Sequence, residues 1–351
     1  MPRLPVVHTL RGLASLAVLW FHMAHGDAFM YAKLGAFGWG ARFGYLGVEV
    51  FFVISGFILP YALWYGKYQV SDYWRFVAKR IVRLDPPYFA AILIAIALNY
   101  LSALAPQFHG APFSINFFNL LVHVGYLNAF FGQPWIIVVL WTLAIEFQFY
   151  LILGLIFPLL SAANKLKPLA VFAFFGALPF LFSNLSYFPK YFPLFLMGIA
   201  VFRRKVSLSS LPECLALLTV GFAWTAYTVG LPEGLAGLLG AVCILWFHFR
   251  SKITDFFGNI SYSLYLLHVP IGGRVVNLLS RYVRHSSPFV VFLVDLLAAA
   301  VSIGSAYLLY RYVELPSQKW AAGMRYKRRT SAPAELSFEP MQQPINAASK
   351  L

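Results

Sequence analysis

The residues with the clearest capacity for chemistry lie in one apolar stretch near the start of the chain, LRGLASLAVLWFHMAH, from Leu10 to His25. This stretch contains Arg11 and, eleven residues later, His22. If it is helical, the two side chains return to nearly the same stripe, about 16 Å apart along the axis. Imidazole titrates near neutral pH and is a common general base, whereas a guanidinium remains charged. The shared stripe therefore predicts a functional site rather than two separately packed polar residues.

Two further apolar segments carry polar residues at helical spacing. In WTLAIEFQFYL, a hydroxyl or carboxyl group recurs every four residues: Thr142, Glu146 and Tyr150. In NISYSLYLLH, polar groups fall at positions i, i+4 and i+7: Ser261, Tyr265 and His268. Ionisable groups within an apolar segment usually face the interior of a helix bundle and mark a site. These stripes are therefore predicted to face one buried site, with a structural hydrogen-bond network as the alternative.

Three charged residues outside these stripes are also candidates. Glu49 lies in a further apolar segment, GYLGVEVFFVISGF, where a carboxylate needs a partner or water. The alternative for Glu49 is a position among the lipid headgroups. Arg80 and Arg83 are three residues apart in FVAKRIVRLDPPY, so on a short helix they point the same way and together suit a phosphate. The alternative for this pair is contact with anionic lipid.

Two shorter features have structural interpretations. Pro86 and Pro87 are expected to end the basic loop that contains both arginines, before the third apolar span begins. Glu314 lies in the last apolar stretch, YRYVELP, and its simplest partner is Arg311, three residues before it in the sequence.

The composition places these candidates in a membrane. Of the 351 residues, 60% are hydrophobic and 11% are charged, whereas an average soluble domain has about 25% charged residues. The first apolar segment contains Arg11 and His22 and no small-residue cleavage site. We therefore expect it to be a retained span rather than a signal peptide. The sequence predicts an integral membrane protein.

Ten candidate spans predict an all-α, polytopic helix bundle. They lie near residues 7–26, 44–65, 86–104, 136–160, 168–184, 190–203, 211–230, 233–249, 256–279 and 288–311. Several are short, and the apolar stretch 117–131 suits a re-entrant or interfacial helix, so nine to eleven spans fit the sequence. We expect residues 1–320 to form one transmembrane domain and residues 321–351 to form a disordered cytoplasmic tail.

The distribution of basic residues orients the bundle. With the N-terminus in the cytoplasm, the inner segments hold 21 of the 27 Lys and Arg residues, and the outer segments hold the other six. Such an excess on one side is the asymmetry that sets membrane topology. Both termini are therefore predicted to be cytoplasmic. The same rule explains the net charge of +15 without a nucleic-acid partner.

Taken together, these segments resemble the membrane acyltransferase-3 family, whose members O-acylate cell-surface and exported glycans. Six stretches match in the family's order: LRGLASLAVLWFHMAH, GVEVFFVISGFIL, FVAKRIVRLDPPY, WTLAIEFQFYL, ISYSLYLLHVP and YRYVELP. The family's Arg-x10-His motif corresponds to Arg11 and His22, and its Arg-x-x-Arg motif corresponds to Arg80 and Arg83. The acid of the second span, often Asp in the family, is Glu49 here.

The resemblance implies a donor, an acceptor and a location. The donor is expected to be a cytoplasmic acyl-coenzyme A, usually acetyl-CoA, which is a co-substrate; no permanently bound cofactor and no metal are expected. The acceptor is expected to be a saccharide hydroxyl on the far side of the inner (plasma) membrane, for example in exopolysaccharide, O-antigen or a glycolipid. Some family members carry an added esterase-like domain. None is visible in this sequence, so we expect the chain to act alone or with a separate envelope protein.

Residue roles follow from the resemblance and from the chemistry of acyl transfer. His22 is expected to act as the general base or, in an alternative that the sequence leaves open, to carry the acyl group covalently. Arg80 and Arg83 are expected to bind coenzyme phosphates, and Arg11 the phosphates or the pantetheine arm. Glu146 completes the predicted catalytic set with His22 and Arg11, and orients His22 or a substrate hydroxyl. The remaining polar groups are expected to contact substrate: Glu49, Tyr150, Tyr265 and His268.

Two other classes of protein are alternatives. An exporter of lipid-linked saccharides also needs central polar stripes, but the sequence lacks the clear inverted repeats of many transporters. A non-catalytic subunit of an envelope complex is the second alternative. Such a subunit would not need Arg11 and His22 on one stripe.

Overall fold

Residues 4–104, 113–181, 187–283, 285–324 and 326 are described by a computed structural model of the chain. These residues form fifteen α-helices and no β-strand, which confirms the predicted all-α class. Most of the predicted tail, residues 327–351, lies outside them. The helices in chain order are α1 (Pro5–Ala24), α2 (Ala28–Lys33), α3 (Gly35–Ala41), α4 (Gly47–Tyr65), α5 (Tyr73–Ala103), α6 (Phe117–Val124), α7 (Leu140–Leu160), α8 (Leu166–Leu181), α9 (Phe188–Lys205), α10 (Leu211–Thr228), α11 (Leu231–Trp246), α12 (Lys252–Leu267), α13 (Gly273–Val283), α14 (Pro288–Leu309) and α15 (Leu315–Gly323).

The length and apolarity of these helices show that the chain is a membrane protein. Five helical segments are long and apolar enough to cross a bilayer: Pro5–Ala24, Gly35–Tyr65, Val70–Ala103, Leu140–Leu160 and Pro288–Gly323. The shorter helices α8 and α11 are also apolar. Each of the ten predicted spans overlaps at least one helix, although residues 182–184 of the fifth lie outside the described residues. Helix α6 has eight residues and is too short to cross.

The basic stretch before the third predicted span is helical rather than a loop. Helix α5 runs for 31 residues and contains Pro86 and Pro87 in its interior. Each proline removes one helical hydrogen bond. The hydroxyl of Tyr262 donates to the carbonyl oxygen of Leu84 at 3.0 Å, close to these prolines. The prediction that the prolines end the basic segment is therefore wrong. Packing and polar contacts from neighbouring helices stabilise α5 despite the two prolines.

Two helices end in a π-turn. Helix α12 leads through the π-turn His268–Gly272 into α13, and α14 leads through the π-turn Tyr310–Glu314 into α15. π-turns are rare and often occur at functional sites. The ninth predicted span, 256–279, consequently covers most of α12, the π-turn and the start of α13, which follow one another without an intervening loop.

Glycines allow α4 and α9 to pack closely. A Cβ atom added at Gly56 would lie 2.2 Å from the carbonyl oxygen of Phe195. A Cβ atom at Gly198 would lie 2.2 Å from the carbonyl oxygen of Val53. Real Cβ atoms do not approach oxygen this closely, so both positions require glycine. Small residues at helix contacts are typical of membrane proteins, where they permit close approach of backbones.

Helix α1, which carries the Arg11–His22 stripe, is held between α4 and α12 in the same way. A Cβ atom added at Gly47 of α4 would lie 2.4 Å from the carbonyl oxygen of Ala14. A Cβ atom added at Gly258 of α12 would lie 2.5 Å from the carbonyl oxygen of His8. These contacts fix the position of α1 relative to the two helices that complete its site.

Candidate active site

A cavity of about 120 Å³ lies among α1, α4, α5, α7, α12 and the second π-turn. We call it the arginine cavity, because three arginines meet there. Its polar lining residues are Arg11, Ser55, Arg80, Arg83, Thr142, Glu146, Tyr150, Ser261, Tyr262, Tyr265 and Glu314. The polar stripes of α7 and α12 therefore share one interior space, apart from His268.

The three arginines have no carboxylate within ion-pair distance among the described residues. Arg11 Nε donates to Ser261 Oγ at 3.2 Å. The guanidinium of Arg80 lies over the rings of Phe76 and Tyr150, at 5.3 and 5.9 Å from their centroids. Arg80 is only 8% exposed. The lining holds three arginines and two carboxylates, Glu146 and Glu314, none of them closely paired with an arginine. This excess of buried positive charge suits the cavity to an anionic ligand.

The two carboxylates of the arginine cavity are held by neutral groups. Glu146 accepts a hydrogen bond from the hydroxyl of Ser55. Glu314 accepts from the backbone N–H and the hydroxyl of Ser263 at 3.2 and 2.6 Å, and from Gln318 Nε2 at 2.8 Å. The predicted ion pair between Glu314 and Arg311 is therefore wrong. Because both oxygens of Glu314 already accept hydrogen bonds, it is a fixed part of the cavity wall.

His22 lies outside the arginine cavity. It lines a second cavity of about 170 Å³, the histidine cavity, together with Tyr45, Glu49 and Trp141. It also lines a groove of about 930 Å³, the wide groove, formed by α1, α5, α13 and the segment before α7. Glu49 is 4% exposed, and its Oε2 has no hydrogen-bond partner among the described residues. Glu146 lines the arginine cavity instead and accepts a hydrogen bond from Ser55, and among the described residues no hydrogen bond joins Glu146 to His22.

A pair of hydroxyl groups separates the arginine cavity from the histidine cavity. Val48, Thr142 and Tyr265 line both spaces. The hydroxyls of Thr142 and Tyr265 are hydrogen-bonded to each other at 2.7 Å. One of the two hydroxyls donates this bond, and the other donates to the carbonyl oxygen of Val139, which lies 2.9 Å from Thr142 Oγ1 and 3.3 Å from Tyr265 Oη. The single buried site expected from the polar stripes is therefore two compartments with a common wall.

His268 lies beside His22 rather than in either cavity. Its ring centroid is 5.0 Å from that of His22 and 5.7 Å from that of Tyr265. Its Nδ1 lies 3.0 Å from the carbonyl oxygen of Leu264, so this nitrogen carries the proton. Its Nε2 has no partner among the described residues, and the side chain is 1% exposed. His268 therefore supports the ring of His22 and the wall residue Tyr265 by packing.

The sequence analysis missed three parts of the site. Glu314 and Tyr262 line the arginine cavity. Both residues lie in long apolar stretches next to other polar residues, and this position was the available sign that they face the site. The wide groove as a whole gave no such signal, because its lining residues come from separate segments, and only Arg274, Asn277 and Arg281 of α13 share a helical spacing.

The structure is thus an apolar helix bundle with an arginine-lined cavity and a histidine beyond a shared wall, an arrangement compatible with a membrane group-transfer enzyme. The profile of the acyltransferase-3 family, described as an acyltransferase domain, matches residues 6–311. The chain belongs to this family. The matched range includes the Arg11–His22 stripe and the arginines of α5, and ends just before Glu314.

The curated relatives of the chain include O-acetyltransferases. O-acetyltransferase OatA of Staphylococcus aureus is 27% identical over 338 residues, covering 79% of this chain and 53% of that protein. Peptidoglycan O-acetyltransferase OatA of Listeria monocytogenes is 30% identical over 161 residues, covering 42% and 23%. Regulator of hypoxia-inducible factor 1 of Caenorhabditis elegans is 30% identical over 171 residues, covering 43% and 34%. The chain thus spans about half or less of these relatives, and no solved structure matches it.

We expect His22→Ala to reduce acyl transfer by about 10²- to 10⁴-fold, the typical contribution of a general base. The reason is its position on the walls of both the histidine cavity and the wide groove. The measurement is transfer of labelled acetyl groups by purified protein. His248→Ala is the matched control, because His248 is exposed and lines none of these spaces. Full activity of the first variant at normal yield would exclude His22 from the chemistry.

Proposed function

We propose that the protein is an O-acetyltransferase of the inner (plasma) membrane, which moves an acetyl group from cytoplasmic acetyl-CoA to a hydroxyl of an extracytoplasmic saccharide. The observation that carries this proposal is the arrangement along α1. Arg11 lines the arginine cavity, and His22 lines the histidine cavity about three turns further along the helix. One helix therefore joins an anion site to a base, with the hydroxyl wall between them.

The arginine cavity suits the anionic part of acetyl-CoA. Arg80 and Arg83 lie one turn apart on α5, and Arg11 reaches the same space from α1. Guanidinium groups bind phosphate oxygens through paired N–H donors. The donor is anionic at one end and carries its thioester at the end of a long flexible arm. That arm is suited to the distance between the arginines and His22.

The chemistry then requires one proton to move. The acceptor oxygen attacks the thioester carbonyl carbon while His22 takes the hydroxyl proton. A C–O bond forms, the C–S bond breaks, and His22 returns the proton to the departing sulfur. The products are the acetyl ester and the free thiol of coenzyme A. Transfer through an acetylated His22 would give the same products in two steps.

The wall hydroxyls are well placed for the charge that develops during this reaction. Thr142 and Tyr265 lie where the arginine cavity meets the cavity that contains His22. A thioester that has passed along the Arg11 side therefore meets O–H donors as it approaches His22. We assign to Tyr265 the hydrogen bond that stabilises the tetrahedral oxyanion, formed when its O–H turns from its present acceptor toward the substrate while Thr142 donates to Val139 or to the tyrosine oxygen.

The charge distribution supports the sidedness of this scheme. A bundle of ten spans with both termini in the cytoplasm puts 21 of the 27 Lys and Arg residues on the inner side. The start of α5, with Arg75, Lys79 and Arg80, is then cytoplasmic, as is the entrance to the arginine cavity. The wide groove opens toward the other side, where the saccharide would enter.

The names of the relatives support the reaction. Two of them are O-acetyltransferases, and the Listeria monocytogenes protein is named for peptidoglycan, a glycan polymer. A saccharide acceptor for this chain is consistent with those names and with the polar lining of the wide groove. Membership of an acyltransferase family gives no support to the alternatives of an exporter or a non-catalytic subunit.

Arg80→Gln and Arg83→Gln are expected to raise the KM for acetyl-CoA while largely preserving kcat. Each lost charge-assisted contact corresponds to about 1.5–3 kcal/mol, or roughly 10- to 150-fold in donor affinity. Arg75→Gln is the matched control on the same helix, because Arg75 pairs with Asp72 and does not line the cavity. A fall in kcat at unchanged KM would contradict the assignment of these arginines to the donor.

Tyr265→Phe is expected to lower kcat by about 10- to 1000-fold with little change in the KM for acetyl-CoA, because one oxyanion donor is lost and the ring is kept. Tyr307→Phe is the control, since Tyr307 is 45% exposed and lines none of the three spaces. Steady-state kinetics with labelled acetyl-CoA measure both constants. An unchanged kcat would remove Tyr265 from oxyanion stabilisation.

Sidedness is tested by single cysteines in a background that lacks Cys214 and Cys243. Trp74→Cys and Tyr282→Cys are suitable, because the native side chains are 79% and 77% exposed. In intact cells, a membrane-impermeant maleimide should label position 282 and leave position 74 unlabelled until the cells are opened. The reverse pattern would invert the topology and place the arginine cavity on the wrong side for cytoplasmic acetyl-CoA.

A further inference from the structure

The wide groove is lined without a single carboxylate. None of its twenty lining residues, all of them described, is Asp or Glu, whereas Arg274 and Arg281 both line it. The surrounding sequence has the same bias. Residues 98–139 contain no Asp or Glu, and residues 269–290 contain three arginines and no acid. The groove that leads to His22 therefore carries a net positive charge, which comes from Arg274 and Arg281.

The two arginines share one face of α13. Arg274, Asn277 and Arg281 are spaced at i, i+3 and i+7, and all three line the groove. On the proposed topology these arginines are on the outer side, where basic residues are scarce. Two of the six outer cations thus lie in one groove, so membrane orientation does not account for them.

Neutral groups hold Arg274 in place. Its Nη2 donates to Asn99 Oδ1, its Nη1 donates to the carbonyl oxygen of Pro270, and its Nε lies 3.4 Å from Ser102 Oγ. None of these partners carries a negative charge. The guanidinium is therefore positioned by α5 and the first π-turn while its charge is left for a ligand.

The rest of the lining is suited to a saccharide. Asn99, Ser102 and Asn277 offer amide and hydroxyl groups, and Trp135 offers a flat apolar surface. Recognition sites for small polar ligands combine such apolar surfaces with a few placed polar groups. His22 lies on the same groove, so a ligand held there meets the proposed base.

We propose that the acceptor is an anionic saccharide, whose carboxylate or phosphate binds Arg274 and Arg281 while a nearby hydroxyl faces His22. This proposal rests on the proposed acetyl transfer and adds the charge of its acceptor. A saccharide and a lipid headgroup can both supply the anionic group, a carboxylate or a phosphate, that the two arginines would bind. Anionic lipid headgroups are the competing explanation of the same charge, and the polar lining beside His22 favours the saccharide.

The test uses the full chain in nanodiscs of phosphatidylcholine and two matched probes. One probe is trigalacturonate, and the other is the same trisaccharide with its carboxyls reduced to alcohols. Binding is measured directly, without donor. We expect the anionic probe to bind at least 10-fold more tightly, and this difference to shrink as salt is raised.

Variants assign the preference to the groove. Arg281→Gln should reduce the preference for the anionic probe over the neutral probe at least 5-fold. Arg274→Gln should have the same effect if this variant folds. Arg281 is exposed, so its variant keeps the test valid if the other is unstable. Arg42→Gln is the control, because Arg42 is an outer arginine that does not line the groove. Equal binding of the two probes by wild-type protein would overturn the proposal.

Two further outcomes separate the competing explanations. Loss of trigalacturonate binding in nanodiscs with 30% phosphatidylglycerol would show that lipid headgroups occupy the arginines, which also overturns the proposal. Retained binding in those nanodiscs supports it. Turnover of labelled acetyl-CoA is measured separately on the same samples. A protein that binds the anionic probe but never consumes acetyl-CoA would contradict the proposed function and leave the groove assignment supported.

Discussion

The cost of placing charge inside an apolar helix bundle is the constraint on which the rest of this structure depends. A charged side chain at the centre of a membrane helix costs about 2.5–3.5 kcal/mol even on the lowest scale. Arg11, Arg80, Glu146 and Glu314 sit on four different parts of the chain, and each must turn away from lipid. The helices that carry them are therefore arranged around one space. That space is the arginine cavity.

A second consequence is the division of the interior. The hydrogen bond between Thr142 and Tyr265 closes the arginine cavity toward His22. On the proposed function, a thioester held in the arginine cavity would thereby be kept from water that enters through the wide groove. Exclusion of water from an activated group protects it from hydrolysis. The wall would thus keep the two proposed substrates apart until the reactive arm of the donor reaches it.

Much of this arrangement was predictable, because it is local. The stripes on α1, α7 and α12 follow from helical spacing, and the apolar runs predict the helices themselves. The continuity of α5 through Pro86 and Pro87 was not predictable, because tertiary packing overrides the local preference of proline. The wall formed by Thr142 and Tyr265 was also not predictable from the sequence. Helical spacing shows on which face of a helix a residue lies, but it shows neither the depth of the residue in the bundle nor its contact partner. Glu314 was assigned to a sequence neighbour, whereas its partners include Ser263, 51 residues away.

The glycine contacts of α1 have a consequence for donor choice. Because Gly47 and Gly258 press against its backbone, α1 has no room to slide or rotate between α4 and α12. The interval between Arg11 and His22 is then a fixed length, about 16 Å along a stiff rod. On the proposed function, a carrier whose arm is shorter than this interval would leave its thioester short of the imidazole. The first helix would then set the minimum reach of the donor's arm, so a carrier would be selected partly by its length.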